Sequence, residues 1–185
     1  MEELKHVARY LKGKPSVALV LKQQRMPKVI RVSVDSDFAA DRKTRRSTTG
    51  MVQRLGMHCV KATSNLQASS GLNVGETEYY ALVHGAVLGL GLQAYLEDWG
   101  IKLELVIEGD STSAKSFASR QGLGKQRHVQ TRYLWVQERV ARKECVIAKV
   151  QSEKNVSDIL TKSCSGVLLH RHLQKLGHAE VEPSR

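Results

Sequence analysis

Four acidic residues occupy positions where a metal-dependent phosphoryl-transfer site would need carboxylates: Asp35, Glu78, Asp110 and Asp158. Asp35 ends a predicted strand over residues 30–34, and Asp110 ends a second predicted strand over residues 103–109. A carboxylate at the end of a buried strand is costly to keep charged unless a cation pairs with it. Several carboxylates that converge on one point therefore indicate a divalent-metal site, and such sites typically support phosphoryl transfer.

For the first two acids, a neighbouring acid could take the same place. Asp37 or Asp41 could be the ligand instead of Asp35, but the predicted strand ends at Asp35 and favours it. Glu76 competes with Glu78 at the start of a long predicted helix. Because Glu76 lies three residues after an asparagine N-cap, we predict it as the capping acid and favour Glu78 as the ligand.

The other two acids could have structural roles. Asp110 precedes a predicted helix that starts at Ser111, so it could be an N-cap, a metal ligand or both. Asp158 lies in a short predicted helix capped by Asn155, where it could be an ordinary acid of the first turn. We predict both acids as ligands.

The charge balance predicts a polyanionic partner. The chain has 29 Lys and Arg against 18 Asp and Glu, a net charge of +11, and nucleic acid is the commonest partner of such a surplus. The cations cluster in residues 41–46 and 120–132, after the two acidic strand ends, as expected of loops that hold phosphates around a metal site. The candidate phosphate contacts are Arg45, Arg46, Arg127 and Arg132. His128 lies among them and could be a phosphate contact or a turn residue.

The remaining composition predicts an intracellular globular protein with one domain and a small appendage. Its 185 residues are 41% hydrophobic and 25% charged, which is ordinary for a globular chain. The three cysteines are widely spaced and form no C-x-x-C pair, so neither a zinc site nor a disulfide framework is predicted. The polar N-terminus and the lack of a long apolar run predict no signal peptide, no membrane partner and no secretion.

The hydrophobic pattern predicts the element order β-β-β-α-β-α-β-α. Predicted strands cover residues 29–34, 49–55, 58–62, 103–109 and 144–150. Predicted helices cover residues 74–99, 111–120, 130–142, a short segment around residue 158, and 167–176. This order predicts an α/β fold with a five-stranded mixed sheet and helices on its faces.

Short motifs surround the four acids in a fixed order. They are VDSDFAAD (34–41) followed by RRSTTG (45–50), GETEYYAL (75–82), IEGDSTSA (107–114), RHVQTRY (127–133) and NVSDILTK (155–162). Together with the element order, these motifs closely resemble the ribonuclease H domain of copia-type LTR retrotransposon polyproteins. The resemblance covers roughly residues 5–176. It implies the ribonuclease H-like fold, in which a five-stranded mixed sheet has three antiparallel strands followed by parallel strands, with helices on both faces.

The resemblance also implies an activity and a cofactor. Such a domain hydrolyses the RNA strand of RNA–DNA hybrids during reverse transcription, with two Mg²⁺ ions, for which Mn²⁺ can substitute. Asp35 would bridge both ions, Glu78 and Asp110 would hold the ion on the leaving-group side, and Asp158 would hold the ion that activates water. The implied products carry 5′-phosphate and 3′-hydroxyl ends.

Domain limits and partners follow from the same resemblance. Residues 1–28 would be a connector from the reverse transcriptase side, and residues 29–176 the ribonuclease H-like domain. Residues 177–185 are predicted to be a disordered tail. The implied partners are an RNA–DNA hybrid and the reverse transcriptase domain of the same polyprotein. The implied location is a cytoplasmic virus-like particle or the nucleus.

Selectivity for a hybrid should come from shape. An RNA strand presents 2′-hydroxyls in a wide, shallow minor groove, and these distinguish it from DNA. The candidates for contacts to those hydroxyls are Ser36, Asn73 and Ser111.

Two departures from the resembling families keep a second hypothesis open. The loop over residues 151–157 lacks the histidine that helps product release in cellular ribonucleases H, although Glu153 could substitute for it. Val74-Gly75 stands where the retrotransposon family often has Ser-Ser or Ser-Thr. With no polymerase in this chain, the alternative is a catalytically silent, nucleic-acid-binding remnant. The specific motifs disfavour a resolvase or integrase core of the same fold.

Overall fold

Most of the described strands form one mixed sheet, which lies at the centre of the fold. A computed structural model describes residues 2–124 and 127–181. Its strands are β1 (Val17–Leu19), β2 (Val29–Ser36), β3 (Thr48–Leu55), β4 (His58–Leu66), β5 (Glu104–Gly109), β6 (Val146–Lys149) and β7 (His178–Glu180). Its α-helices are α1 (Glu2–Gly13), α2 (Val74–Asp98), α3 (Thr112–Ala118), α4 (Trp135–Ala141) and α5 (Gly166–Lys175). Short 3-10 helices cover Thr131–Tyr133, Ser152–Lys154 and Val156–Leu160.

The main sheet has the strand order β4-β3-β2-β5-β6. Strands β4, β3 and β2 are antiparallel, whereas β2, β5 and β6 are parallel. Gly56 turns the chain between β3 and β4 with a φ of +59°, a conformation that glycine adopts without strain. The predicted five-stranded mixed sheet is therefore confirmed.

Helix α2 covers one face of this sheet and forms the main core with it. Its two close contacts depend on glycines: a Cβ at Gly85 would lie 2.5 Å from Val34 Cγ1, and one at Gly89 would lie 2.6 Å from Leu105 Cδ1. The helix starts as predicted, because the Asn73 side chain accepts a hydrogen bond from the Glu76 backbone N at 3.0 Å. The close approach fixes the position of the first turn of α2 relative to the strand ends.

The opposite face of the sheet is covered by the last 3-10 helix, Val156–Leu160. Val156 packs there with Val52 of β3 and with Leu176 at the end of α5. Asn155 attaches this segment to the sheet, because its side-chain amide donates to the Val34 carbonyl of β2 at 2.9 Å. Helices therefore lie on both faces, as predicted.

The predicted helix over residues 130–142 is divided in the structure. A 3-10 turn over Thr131–Tyr133 precedes α4. The Tyr133 carbonyl, which an α-helix would pair with the backbone N of Gln137, accepts instead from the Tyr79 hydroxyl at 2.7 Å. The Gln137 N donates to Leu134 O at 2.9 Å. A contact with a distant helix therefore overrides the local helical pattern.

The C-terminal segment also differs from the prediction of a disordered tail. Within it, β7 pairs antiparallel with β1, with Val17 opposite Glu180. The rest of that predicted tail, residues 182–185, lies outside the described residues. A two-strand pairing between distant segments has no local sequence pattern, which is why the sequence did not predict it. None of the helices among the described residues is long and apolar enough to cross a bilayer.

Candidate metal centre

Two neighbouring parallel strands bring the first two acidic strand ends together. Ser33 of β2 lies opposite Glu108 of β5, so Asp35 and Asp110, two residues further along each strand, reach the same edge of the sheet. Asp158 comes to this edge on the last 3-10 helix from the other face. One carboxylate oxygen from each of these three acids lies within 4.8 Å of the others. We call these three acids the carboxylate cluster.

Glu78 lies near the carboxylate cluster, on the first turns of α2. It is 7% exposed and is not in the group whose oxygens all lie within 4.8 Å of one another. Burial, followed by the negative charges of Asp35 and Asp110, raises the pKa of Glu78 to about 8. The structure thus brings three of the four predicted acids into close contact and leaves the fourth adjoining them.

Burial disfavours the charged forms of the acids in the carboxylate cluster. Asp35 is 1% exposed, and burial raises its pKa to about 6 despite a hydrogen bond from the Thr161 hydroxyl. Burial also raises the pKa of Asp158, and its Oδ1 is buried with no hydrogen-bond partner. An unpartnered carboxylate oxygen beside two further carboxylates is a suitable oxygen donor set for Mg²⁺ or Mn²⁺.

The cluster has three polar neighbours that were not predicted from the sequence as site residues. The Thr161 hydroxyl donates to Asp35 Oδ2. The Lys162 ammonium lies between Asp35 and Asp158. Burial lowers the pKa of Lys162, but the charges of those two acids outweigh it and the pKa lies above its ordinary value. One sequence signal was available, since Lys162 follows Asp158 by four residues.

The third neighbour of the cluster is Ser152, in the loop before Asp158. Its hydroxyl donates to Asp110 Oδ2 at 2.6 Å, and it belongs to the 3-10 helix Ser152–Lys154. This loop therefore contacts the carboxylate cluster through a serine. Glu153, which the sequence left open as a replacement for the missing histidine, is exposed.

The competing acids have structural partners. Asp37 Oδ1 accepts from the Thr48 backbone N at 2.8 Å, and Asp41 accepts from the Thr44 hydroxyl in an exposed turn. Glu76 Oε2 accepts from the Leu72 backbone N at 2.9 Å. These contacts explain why the neighbouring acids lie outside the carboxylate cluster.

The predicted phosphate contacts lie on loops that are joined by serines. Ser70 Oγ donates to the Thr44 carbonyl at 3.4 Å, next to Arg45. Arg132 donates to Ser69 Oγ at 3.3 Å. We call the resulting surface the basic strip; it consists of Arg45, Arg46, Ser69, Ser70 and Arg132, and the exposed Arg127 precedes it on the segment that leads to Arg132. Of its arginines, Arg46 is half-buried and the others are exposed.

The remaining predicted nucleic-acid contacts already have partners within the protein. His128 Nε2 lies 2.8 Å from Glu76 Oε2, so this imidazole attaches its loop to the start of α2. Asn73 caps α2, and Ser111 caps α3 by accepting from the Ala114 backbone N at 3.2 Å. Ser36 is buried and donates to the Thr77 hydroxyl at 2.9 Å, which leaves it poorly placed for a 2′-hydroxyl.

The fold and the comparisons with known proteins agree on one class. Ribonuclease H1 LC11, isolated from a compost metagenome, aligns with a TM-score of 0.51 at 17% identity, over 72% of this chain and 93% of that one. The chain therefore has the ribonuclease H fold, as predicted.

Sequence comparison then identifies its relatives. The chain is 27% identical over 163 residues, 87% of its length, to the retrovirus-related Pol polyprotein from transposon TNT 1-94 of Nicotiana tabacum. It is 25% identical over its whole length to the Pol polyprotein from transposon RE1 of Arabidopsis thaliana. It spans only 12% and 13% of these polyproteins, and no family model matches it. These relatives confirm the predicted resemblance to a retrotransposon polyprotein.

Proposed function

We propose that this chain is the ribonuclease H portion of a retrotransposon Pol polyprotein and hydrolyses the RNA strand of RNA–DNA hybrids. The observation that carries the proposal is the carboxylate cluster, in which three acids from separate segments lie within 4.8 Å in a protein of net charge +11. The ribonuclease H fold and the Pol polyprotein relatives support a nuclease. Residues 29–176 would form the nuclease domain, with residues 1–28 as the connector from the reverse transcriptase.

The acids would hold two divalent ions, Mg²⁺ or Mn²⁺. Asp35, Asp110 and Asp158 would be the direct ligands, and Glu78 would complete the set from α2. When bound, such ions supply a nucleophilic hydroxide from water and stabilise the departing 3′ oxygen, which leaves 5′-phosphate and 3′-hydroxyl ends. Ser152 orients Asp110 by a hydrogen bond.

The basic strip would hold the phosphates of the hybrid beside the cluster. Its exposed guanidinium groups suit phosphate oxygens, and the serines between them fix the spacing of the loops. Glu76 holds the neighbouring loops in place, because its carboxylate bonds the His128 imidazole and the Leu72 backbone N. The polymerase portion of the same polyprotein would present the hybrid to this surface.

The experiment is cleavage of a labelled RNA–DNA hybrid by the full chain, beside RNA and DNA duplexes, with Mg²⁺, Mn²⁺ or EDTA. We expect metal-dependent cutting of the RNA strand of the hybrid alone. Asp110→Asn should reduce cleavage roughly a thousandfold or more, since a lost ligand removes several kcal/mol of stabilisation. Its binding to the hybrid should persist.

The matched control is Asp98→Asn, which makes the same change at an exposed acid at the end of α2. It should leave cleavage unchanged. Full cleavage by Asp110→Asn would contradict a metal mechanism centred on the cluster. Binding of the hybrid without cutting by the wild type would instead support the catalytically silent remnant.

A further inference from the structure

Lys162 places an ammonium group beside the carboxylate cluster. Its Nζ lies 3.2 Å from Asp158 Oδ2 and 3.6 Å from Asp35 Oδ2. Across residues 2–124 and 127–181, no other lysine or arginine comes within 4.0 Å of a carboxylate oxygen of the cluster. A single ammonium therefore faces two of the proposed metal ligands.

Backbone hydrogen bonds fix the position of the Lys162 main chain beside the carboxylate cluster. The backbone N atoms of Thr161 and Lys162 both donate to the Asp158 carbonyl at 3.2 Å, and the Thr161 hydroxyl donates to Asp35. Lys162 is therefore held beside both acids by its neighbours as well as by its own charge. Its side chain is 51% exposed, so the flexible stem has a path into solvent that the buried acids lack.

We propose that the Lys162 ammonium competes with the divalent ion for Asp35 and Asp158. The inference rests on the proposed function, since it takes these acids as metal ligands. An ammonium and a divalent cation repel each other strongly when both lie against the same carboxylates. Metal entry therefore requires Lys162 to leave, and the metal-free cluster keeps its arrangement because Lys162 neutralises part of its charge.

The displaced ammonium needs a new anionic partner close by. Phosphate oxygens of a nucleic acid strand at the cluster would provide one, and a lysine binds phosphate as a mobile point charge. Lys162 thereby couples the two ligands: metal binds weakly to the free protein and more tightly once a strand is present. This makes Lys162 a positioning residue that sets when the ions enter.

Metal affinity in the absence of nucleic acid tests the competition directly. Mn²⁺ is titrated calorimetrically into the metal-free full chain and into Lys162→Met. We expect the dissociation constant of Lys162→Met to fall roughly threefold to tenfold, because the competing cation is gone. Lys162→Arg, which keeps the charge, should bind Mn²⁺ within about twofold of the wild type. The control Lys154→Met removes the same charge from an exposed site on the preceding loop and should also stay within about twofold.

The thermal unfolding midpoint of metal-free Lys162→Met should fall, and saturating Mn²⁺ should restore it. If that variant does not fold without metal, Lys162→Gln keeps a donor for Asp158 and is measured instead. Equal or weaker Mn²⁺ binding by the neutral variants would overturn the competition. Tighter binding together with no cleavage of hybrids would leave this inference standing while contradicting the proposed function.

Discussion

Gly50 of β3 lies directly opposite Asp35 of β2, and the space above its missing side chain is filled by the segment that carries Asp158. A Cβ at position 50 would lie 2.8 Å from Ser157 O and 2.9 Å from Leu160 Cβ. These contacts include backbone, which cannot rotate away. The absence of a side chain at Gly50 therefore determines how closely the third acid approaches the first.

Gly50→Ala should displace the Asp158 segment. We expect the free energy of unfolding to fall by roughly 1–3 kcal/mol, as overpacking usually costs, and the affinity for Mn²⁺ to fall as well. Chemical unfolding and calorimetric titration measure the two effects. The control Gly91→Ala changes a glycine in α2 with open space around it and should stabilise the protein slightly.

The stability of the metal-free protein should depend on pH with an unusual sign. Burial raises the pKa of Asp35 to about 6 and that of Glu78 to about 8, so these two carboxyls bind more protons in the folded protein than in the unfolded chain. Burial also lowers the pKa values of His84 and His172, which gives the opposite slope below about pH 6.5. The free energy of unfolding should therefore fall as pH rises from about 6.5 to 8, where Glu78 loses its proton. Urea unfolding in EDTA at several pH values measures this slope, and Mg²⁺ should reduce it. A free energy of unfolding that does not change with pH in EDTA would contradict the raised pKa values of these two acids.

Two glutamates on the first turns of α2 should respond oppositely to the same substitution. Burial alone would raise the pKa of Glu76, but hydrogen bonds from Tyr80, the Leu72 backbone N and His128 hold it below its ordinary value. Glu76→Gln should therefore destabilise the metal-free protein at pH 8, whereas Glu78→Gln should stabilise it by removing a buried charge. Unfolding free energies in EDTA test the pair. Equal shifts of the same sign would contradict this account.

The basic strip should determine how hybrid binding depends on salt. Each phosphate contact that is lost lowers the slope of log affinity against log salt by about 1. The double variant Arg45→Ala, Arg132→Ala should therefore reduce the slope by about 2 and weaken binding across all sequences. The slope is measured by fluorescence anisotropy of a labelled hybrid, with all variants made in the Asp110→Asn protein so that the hybrid is not cut. Arg9→Ala on α1 removes an exposed cation elsewhere and should leave the slope unchanged.

The sequence predicted those parts of the site that depend on local pattern and strand order. Asp35 and Asp110 end hydrophobic runs, and the order of elements placed those strands side by side. The N-cap at Asn73 distinguished Glu76 from Glu78, and the contacts of Glu76 now explain the difference. The positions of these residues follow from strand order and helix capping, so a single sequence was sufficient to predict them.

Contacts between segments distant in sequence were not predictable in this way. The Tyr79 hydroxyl reaches the Tyr133 carbonyl and shortens a helix whose local pattern is continuous. Lys162 stands in the same motif as Asp158, yet its contact with Asp35 joins two segments that are distant in sequence. The hydrogen bond from Ser152 to Asp110 likewise joins two loops that are distant in sequence. The spacing along the chain indicates the pairing of Lys162 with Asp158, but it does not indicate the contacts that join separate segments.

The pairing of β1 with β7 joins the two ends of the described chain into one very long loop. Closing such a loop costs chain entropy, and the contacts that oppose this cost are three residue pairs, the ion pair between Lys14 and Glu180, and the backbone hydrogen bonds from Val20 N to Gly177 O and from Val181 N to Ser16 O. This pairing is therefore expected to form last during folding and to open first, while the five-stranded sheet stays intact. The pair of strands β1 and β7 would then behave as a clasp that opens reversibly without disturbing the carboxylate cluster, while Gln24 stays bonded to the Leu55 carbonyl and the Met57 backbone N.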